Sequence, residues 1–161
     1  EIIAARQELA RYIDAQITDV YQTVAPTKDT ISVQYSHHAL TTPQHLLTEL
    51  EQAYERDKVT GSTSVGPHRH DLLLFFNNRP ASEIGSRGEL RTITLALKFI
   101  EASHIVEKTE LHPVILLDDV FSELDRSRQR RLLSEFHDHQ VIMTSVDGDY
   151  LPKNHIISID S

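Results

Sequence analysis

The stretch Leu111-His112-Pro113-Val114-Ile115-Leu116-Leu117-Asp118-Asp119-Val120-Phe121-Ser122-Glu123-Leu124-Asp125 decides how this chain is read. Val114–Leu117 is an unbroken apolar run bounded upstream by Pro113. It has the length of a strand rather than a helix. Its lack of alternation predicts a strand buried on both faces of a parallel sheet. Two carboxylates, Asp118 and Asp119, follow at once. Open α/β folds gather their ligands at the carboxyl ends of their strands. Adjacent acids in such a place are costly unless a cation or a polar ligand offsets them. A plain strand running into a polar loop accounts for the same letters, so the pair needs support from the rest of the chain.

Downstream, Arg126–His137 reads as a helix with Asp125 as N-cap and with Leu132, Leu133 and Phe136 turned inward. Val141–Thr144 and His155–Ile159 read as further strands. This alternation predicts α/β architecture with a parallel sheet. Upstream, Arg87 to about Lys108 is the longest expected helix. Its stripe of Leu90, Ile93, Leu97 and Ile100 is widened by Ala96 and Phe99, as in helices that lie flat on a sheet. Leu72–Phe76 reads as a strand, Asn77–Pro80 as a turn and Ala81–Ile84 as a short return. In the first third, residues 1 to about 24 form an expected helix with a stripe of Ile2, Ala5, Leu9, Ile13, Ile17 and Val20. Ile31–Tyr35 alternates as a strand. A second helix starts at Pro43 behind an N-cap at Thr42, buries Leu46, Leu50, Ala53 and Tyr54, and ends before Gly61.

A length of 161 residues suits one domain, or one domain with an appendage. A formal net charge of -8 excludes indiscriminate attraction to nucleic acid, so any DNA contact must come from a local basic patch. The absence of cysteine excludes a disulfide framework and a thiolate zinc site. No apolar stretch is long enough to span a membrane, and a cytoplasmic location is the expectation. The chain opens on Glu1 within an amphipathic pattern, and the expectation is a piece of a longer protein.

Further stretches invite chemistry. Gly61–Gly66 has the glycine spacing of a P-loop, but Pro67 and His68 stand where Lys and Ser/Thr belong, so we reject it. In Gly85-Ser86-Arg87-Gly88-Glu89-Leu90-Arg91-Thr92, Ser86 and Glu89 have capping-box spacing. A capping box does not call for Gly88 in the first turn, where glycine costs about 1 kcal/mol relative to alanine. Glycine there permits close backbone approach, and the helix start offers unpaired N–H groups at its positive end, which suits an anion. The strand ending in Asp118 and Asp119 resembles a Walker B motif. In such motifs the first acid holds Mg²⁺ near nucleotide phosphates and the second orients the attacking water. His68 and His70, like His137 and His139, share a face, but no Asp/Glu/Cys set accompanies either pair at metal-ligand spacing. Arg126, Arg128, Arg130 and Arg131 form a basic cluster that reads as a solvated helix face or as a DNA-phosphate contact.

Three motifs in order, Gly66-Pro67-His68-Arg69, Ser86–Thr92 and Leu116–Asp125, resemble the C-terminal half of the RecF family. That family comprises bacterial recombination-repair ATPases with an ABC/SMC-type head. The motif-bearing resemblance spans roughly Gly61 to Thr144. It implies an α/β fold: the C-terminal half of such a head, a mostly parallel sheet with flanking helices, preceded by part of a helical lobe. Residues 1–60 would be the lobe segment with one short strand. Residues 61–161 would carry the signature, Walker B and D-loop.

The resemblance also implies roles. Ser86 and Gly88, with Arg87 and Glu89 between and beside them, match the signature that grips the γ-phosphate of ATP held by the opposite subunit. Arg87 and Glu89 depart from the common Gly and Gln. Asp118 matches the acid that holds Mg²⁺ through water, and Asp119 the catalytic acid. Ser122–Asp125 matches the D-loop. Ser145 stands where a switch histidine is usual, which fits slow hydrolysis. His70 replaces the first of two acids that usually follow Gly-Pro-His-Arg, and Asp71 keeps the second. The Walker A loop of this family lies near the N-terminus of the full chain. A fragment without it would be inactive alone and would carry an open sheet edge where the absent strands pair. The implied function is a weak ATPase, an ATP-dependent homodimer that clamps DNA at single-strand gaps or junctions and supports recombinase loading with RecO- and RecR-like partners. Two other readings stand beside it: a metal-dependent phosphoesterase using Asp118 and Asp119 directly, and a non-catalytic interaction module. The phosphoesterase reading explains neither the Ser86–Thr92 turn nor Ser122–Asp125.

Overall fold

The computed structural model describes residues 1–36, 42–120, 124–135 and 139–144, without the Leu133 side chain. The expected strand His155–Ile159, and Phe136, His137 and Ser145, lie outside the described residues. The chain is α/β. It divides into two compact units, residues 1–18 with 29–84, and residues 19–28 with 85–161.

In the first unit, β1 (Ile31–Tyr35) pairs antiparallel with β2 (Leu72–Phe76), which pairs antiparallel with β3 (Arg79–Pro80). Ile31, Val33 and Tyr35 are buried, as their alternation predicts. The outer edge of β1 is closed by side chains of α1 (Ile2–Val24) rather than by another strand. Asp14 accepts from the Val33 N–H at 2.7 Å, and the Thr18 hydroxyl accepts from the Ile31 N–H at 3.0 Å while donating to the Ile31 carbonyl at 2.7 Å. Asn77 and Asn78 have φ of 48° and 63°, the left-handed pair that a two-residue hairpin turn needs. The return is therefore Arg79–Pro80. Ala81–Ile84, expected as the return, is instead a helical turn, α3. Pro80 lacks the N–H to continue a ladder, and Ala81-Ser82-Glu83 tolerate helix.

The second helix, α2 (Pro43–Thr60), starts as expected, with the Thr42 hydroxyl accepting from the His45 N–H at 3.2 Å. It ends at Gly61 with φ 70°. Its expected apolar face is corrected. Ala53 is buried and Leu46 half-buried, but Leu50 and Tyr54 are exposed, Tyr54 by 60%. The spacing marks an amphipathic face, but nothing among the described residues of the unit covers most of it. The α1 stripe also shifts. Ala10, Ile17, Tyr21 and Val24 are buried, whereas Ile2 and Leu9 are exposed and Val20 is half-buried. These positions keep the same three-to-four spacing, with the large ring of Tyr21 in the place given to Val20.

In the second unit, α4 (Arg87–Thr109) lies against a parallel pair, β4 (Ile115–Leu117) and β5 (Val141–Met143), joined through α5 (Arg126–Glu135). This strand–helix–strand unit is what the second half of the sequence predicts. Its core joins Leu95 of α4, Leu117, Val120, Leu124 and Leu132, with Phe99, Ile115, Val141 and Met143 packed around them. The expectation that β4 is buried on both faces is corrected: Leu116 is 72% exposed, with Val114 and Ile142 exposed beside it. One face of the pair carries the core. The other has no cover among the described residues of this unit.

Two outcomes follow from this packing. Leu132→Ala removes a fully buried side chain and is expected to cost about 2–5 kcal/mol, read as a lower midpoint in chemical denaturation of the protein. Asp57 accepts from the Ser64 N–H at 2.9 Å. Hydrogen bonding from the Ser64 side chain, then from its backbone, holds the carboxyl below its ordinary 3.8. A depressed acid stabilises the fold above its unfolded value and loses that contribution as pH falls through the folded one. The link between α2 and the Gly61–Gly66 loop should thus persist from neutral pH down to the ordinary carboxylate range and loosen only below it. A carboxyl titration by NMR with its midpoint at or above the ordinary value would contradict this.

Candidate functional site

The parallel register pairs Leu117 with Met143, so Asp118 falls beside Thr144 just past the strand ends. The pairing continues there as the Thr144 N–H donates to the Leu117 carbonyl at 2.9 Å. The Thr144 hydroxyl donates to Asp118 Oδ1 at 2.5 Å and accepts from the Asp119 N–H at 3.1 Å. One hydroxyl thus sets the rotamer of the first acid and the backbone of the second. Both aspartates are exposed. Asp119 has φ 47°, in the left-handed region that an L-residue occupies at a cost on the order of 1 kcal/mol. Its carbonyl accepts from Arg91 Nη2 at 3.0 Å, so both of its peptide groups are held, one from β5 and one from α4.

The start of α4 forms the expected capping box. Ser86 Oγ accepts from the Glu89 N–H at 3.3 Å, and Glu89 Oε2 accepts from the Ser86 N–H at 2.7 Å. Ser86 and Arg87 are exposed, and Gly88 and Glu89 half-buried. The N–H groups of Arg87 and Gly88, in the first turn, have no intrahelical acceptor. The buried Thr92 hydroxyl donates to the Gly88 carbonyl at 2.7 Å and ties the glycine into the helix. The tip is therefore open to solvent and carries donors at the positive end of a helix of 23 residues.

Other expected site residues fall as follows. Asp125 caps α5, its Oδ1 accepting from the Ser127 and Arg128 N–H groups at 3.0 Å each. Ser122 lies outside the described residues. Arg128 pairs with Asp125 at 3.5 Å, while Arg126, Arg130 and Arg131 are exposed. Gly61–Gly66 leads into a 3₁₀ turn, Pro67–Arg69, rather than a long helix. Its polar groups bond locally: Arg69 Nε and Nη2 donate to the Thr63 carbonyl at 2.8 and 2.7 Å. His68 bonds to Thr63, and Tyr35 Oη meets His70 Nδ1 at 2.7 Å. This motif belongs to the first unit, whereas the α4 tip and the strand-end acids belong to the second.

The structure adds two residues that sequence reasoning did not single out, Thr144 and Arg91. A signal existed for Thr144, a hydroxyl standing one place past a parallel neighbour's strand, at the offset of the first acid. Arg91 carried none, because its contact depends on how α4 lies over the strand ends.

Comparison with known proteins bears on this arrangement. No family model matches the chain. A protein of Trichlorobacter lovleyi named DNA replication and repair protein RecF is 34% identical over 161 residues, covering 97% of this chain and 44% of that protein. A Geobacter sp. protein of the same name is 34% identical over 173 residues, covering 98% and 47%. A Clostridium botulinum protein of that name is 44% identical over 98 residues, covering 61% and 27%. The chain thus spans less than half the length of these curated relatives. A solved structure described as the recombination mediator protein RecF with ATPrS in the RecFOR pathway superposes with a TM-score of 0.75 at 27% identity, covering 92% of this chain and 42% of that one.

The positive φ at Asp119 can be isolated from its charge. Asp119→Gly and Asp119→Val both remove the carboxylate, but only valine is strained in that backbone. The glycine variant should be the more stable by about 1–2 kcal/mol in chemical denaturation, and equal stabilities would contradict the described backbone.

Proposed function

We propose, from the premise that this chain belongs to the RecF family of DNA replication and repair proteins, that it supplies one side of an ATP site completed by a second subunit. The observation that carries this reading is the pair of exposed acids at the end of β4, in the same unit as an exposed, glycine-bearing helix start. Asp118 fits a hydrated magnesium ion. Thr144 fixes one of its oxygens, and the other has no protein donor among the described residues. Magnesium bound there would neutralise triphosphate charge. Asp119 would accept a hydrogen bond from the attacking water and take its proton. Ser86 Oγ and the N–H groups of Arg87 and Gly88, from the opposite subunit, would donate to the γ-phosphate, with Glu89 holding Ser86 in place. Ser122 and Asp125 would lie in the loop between the two nucleotide sites.

On this reading residues 1–60 are a lobe segment and residues 61–161 part of an ATPase head. The phosphate-cradling loop with its lysine comes from the part of the protein that this chain does not span. The intact protein is a weak ATPase that dimerises on ATP and holds DNA at single-strand gaps or junctions. It works with RecO- and RecR-like proteins in recombinational repair, consistent with the RecFOR pathway in which the solved relative acts. Among the described residues no helix is long and apolar enough to cross a membrane, which agrees with a cytoplasmic place of action.

The test uses the full-length protein. Asp119→Asn should retain ATP-driven dimerisation, followed by sedimentation, and lose about 100-fold or more in steady-state ATP turnover. Unchanged turnover would remove Asp119 from the catalytic role.

A further inference from the structure

α4 and Asp119 each have structural contacts besides the one between them. The capping box, the Thr92 bond and the apolar core already fix α4. Thr144 already fixes the Asp119 N–H. Arg91 nevertheless reaches from α4 to the Asp119 carbonyl at 3.0 Å. Arg91 lies three residues beyond Gly88, so the two occupy adjoining positions on one helical face. The residue it holds is the acid with left-handed backbone at φ 47°, whose preceding peptide is held by Thr144 and whose following peptide is held by Arg91. A guanidinium donor on the carbonyl helps to hold Asp119 in this uncommon backbone conformation. A small displacement of the α4 tip would be felt at that carbonyl through the arginine.

We propose that Arg91 is a positioning residue that couples occupancy of the α4 tip to the orientation of Asp119. The proposal rests on the ATPase reading above. There, the tip grips the γ-phosphate bound to the opposite subunit, while Asp119 serves the nucleotide of its own subunit. Arg91 would then make hydrolysis at one nucleotide depend on the presence of the other. In this proposal Arg91 acts through the Asp119 carbonyl, so its loss should lower turnover and spare nucleotide binding.

The experiment measures ATP turnover by the full-length protein across ATP concentration, with ATP-driven dimerisation measured in parallel. Wild type and Asp119→Asn form the reference pair. Arg91→Met should lower kcat about tenfold and bring the Hill coefficient toward one, with KM and dimerisation within about twofold of wild type. Arg91→Lys, which keeps a donor of similar reach, should recover part of kcat. Arg91→Gln, too short to reach, should behave as Met and serves if the Met variant does not fold. Wild-type kcat and cooperativity in a folded Arg91→Met or Arg91→Gln protein would overturn the coupling while leaving the ATPase reading intact. A loss confined to KM and dimerisation would overturn it too, by making Arg91 part of the binding surface. If Asp119→Asn turns over ATP like wild type, the underlying reading falls and the coupling falls with it.

Discussion

The parallel pairing of β4 with β5 is the constraint on which the candidate site depends. It aligns the ends of two strands that are distant in sequence and sets Thr144 beside Asp118. Without that register the two acids would follow a strand into solvent with no fixed geometry. With it, a single hydroxyl orders one carboxylate and one backbone amide, and the chain turns through a left-handed residue before Val120 re-enters the core. The pairing is maintained by apolar burial on one face only, with Leu95, Leu117 and Leu132 at its centre. The chemistry proposed for the strand ends thus rests on a small core shared by α4, α5 and two short strands.

Much of this arrangement is legible from residue order. The run Val114–Leu117 has strand length, Ser86 and Glu89 have capping-box spacing, and Asp125 precedes an amphipathic segment. Each is a local signal, and each is realised locally. What was not legible depends on partners distant in the chain. Leu116 and Leu117 are both apolar, yet one is exposed and the other buried, because coverage is a property of the neighbours and not of the letters. Tyr54 and Leu50 follow helical periodicity as faithfully as Ala53 does, and only Ala53 finds a packing surface. The same holds at the site. The acids announce themselves by their position after an apolar run, whereas Arg91 reads as an ordinary helical arginine until its contact is seen.

The exposed apolar faces belong to a chain that is shorter than its relatives. The chain spans 44% of the length of one such relative. Val114, Leu116 and Ile142 on or beside one strand pair, and Leu47, Leu50 and Tyr54 on α2, are large apolar side chains exposed to water, at a cost that scales with their apolar area. The role proposed for the acids and the helix tip gives their exposure a different reason, since polar groups that serve a ligand must remain reachable.

The sealing of β1 by Asp14 and Thr18 has a consequence for how this molecule can associate. A sheet grows by adding a strand to a free row of backbone donors and acceptors. On one flank of the small antiparallel sheet the Ile31 and Val33 donors are already engaged by a helix. On the other, β3 is two residues long and ends in a proline. The β1 flank is therefore a poor template for fibril-like stacking, whereas β3 pairs only with Phe75 and Phe76 and leaves Leu72–Leu74 without a strand on that side among the described residues. A strand that spliced into this ladder would do so beside Leu72–Leu74 rather than along β1.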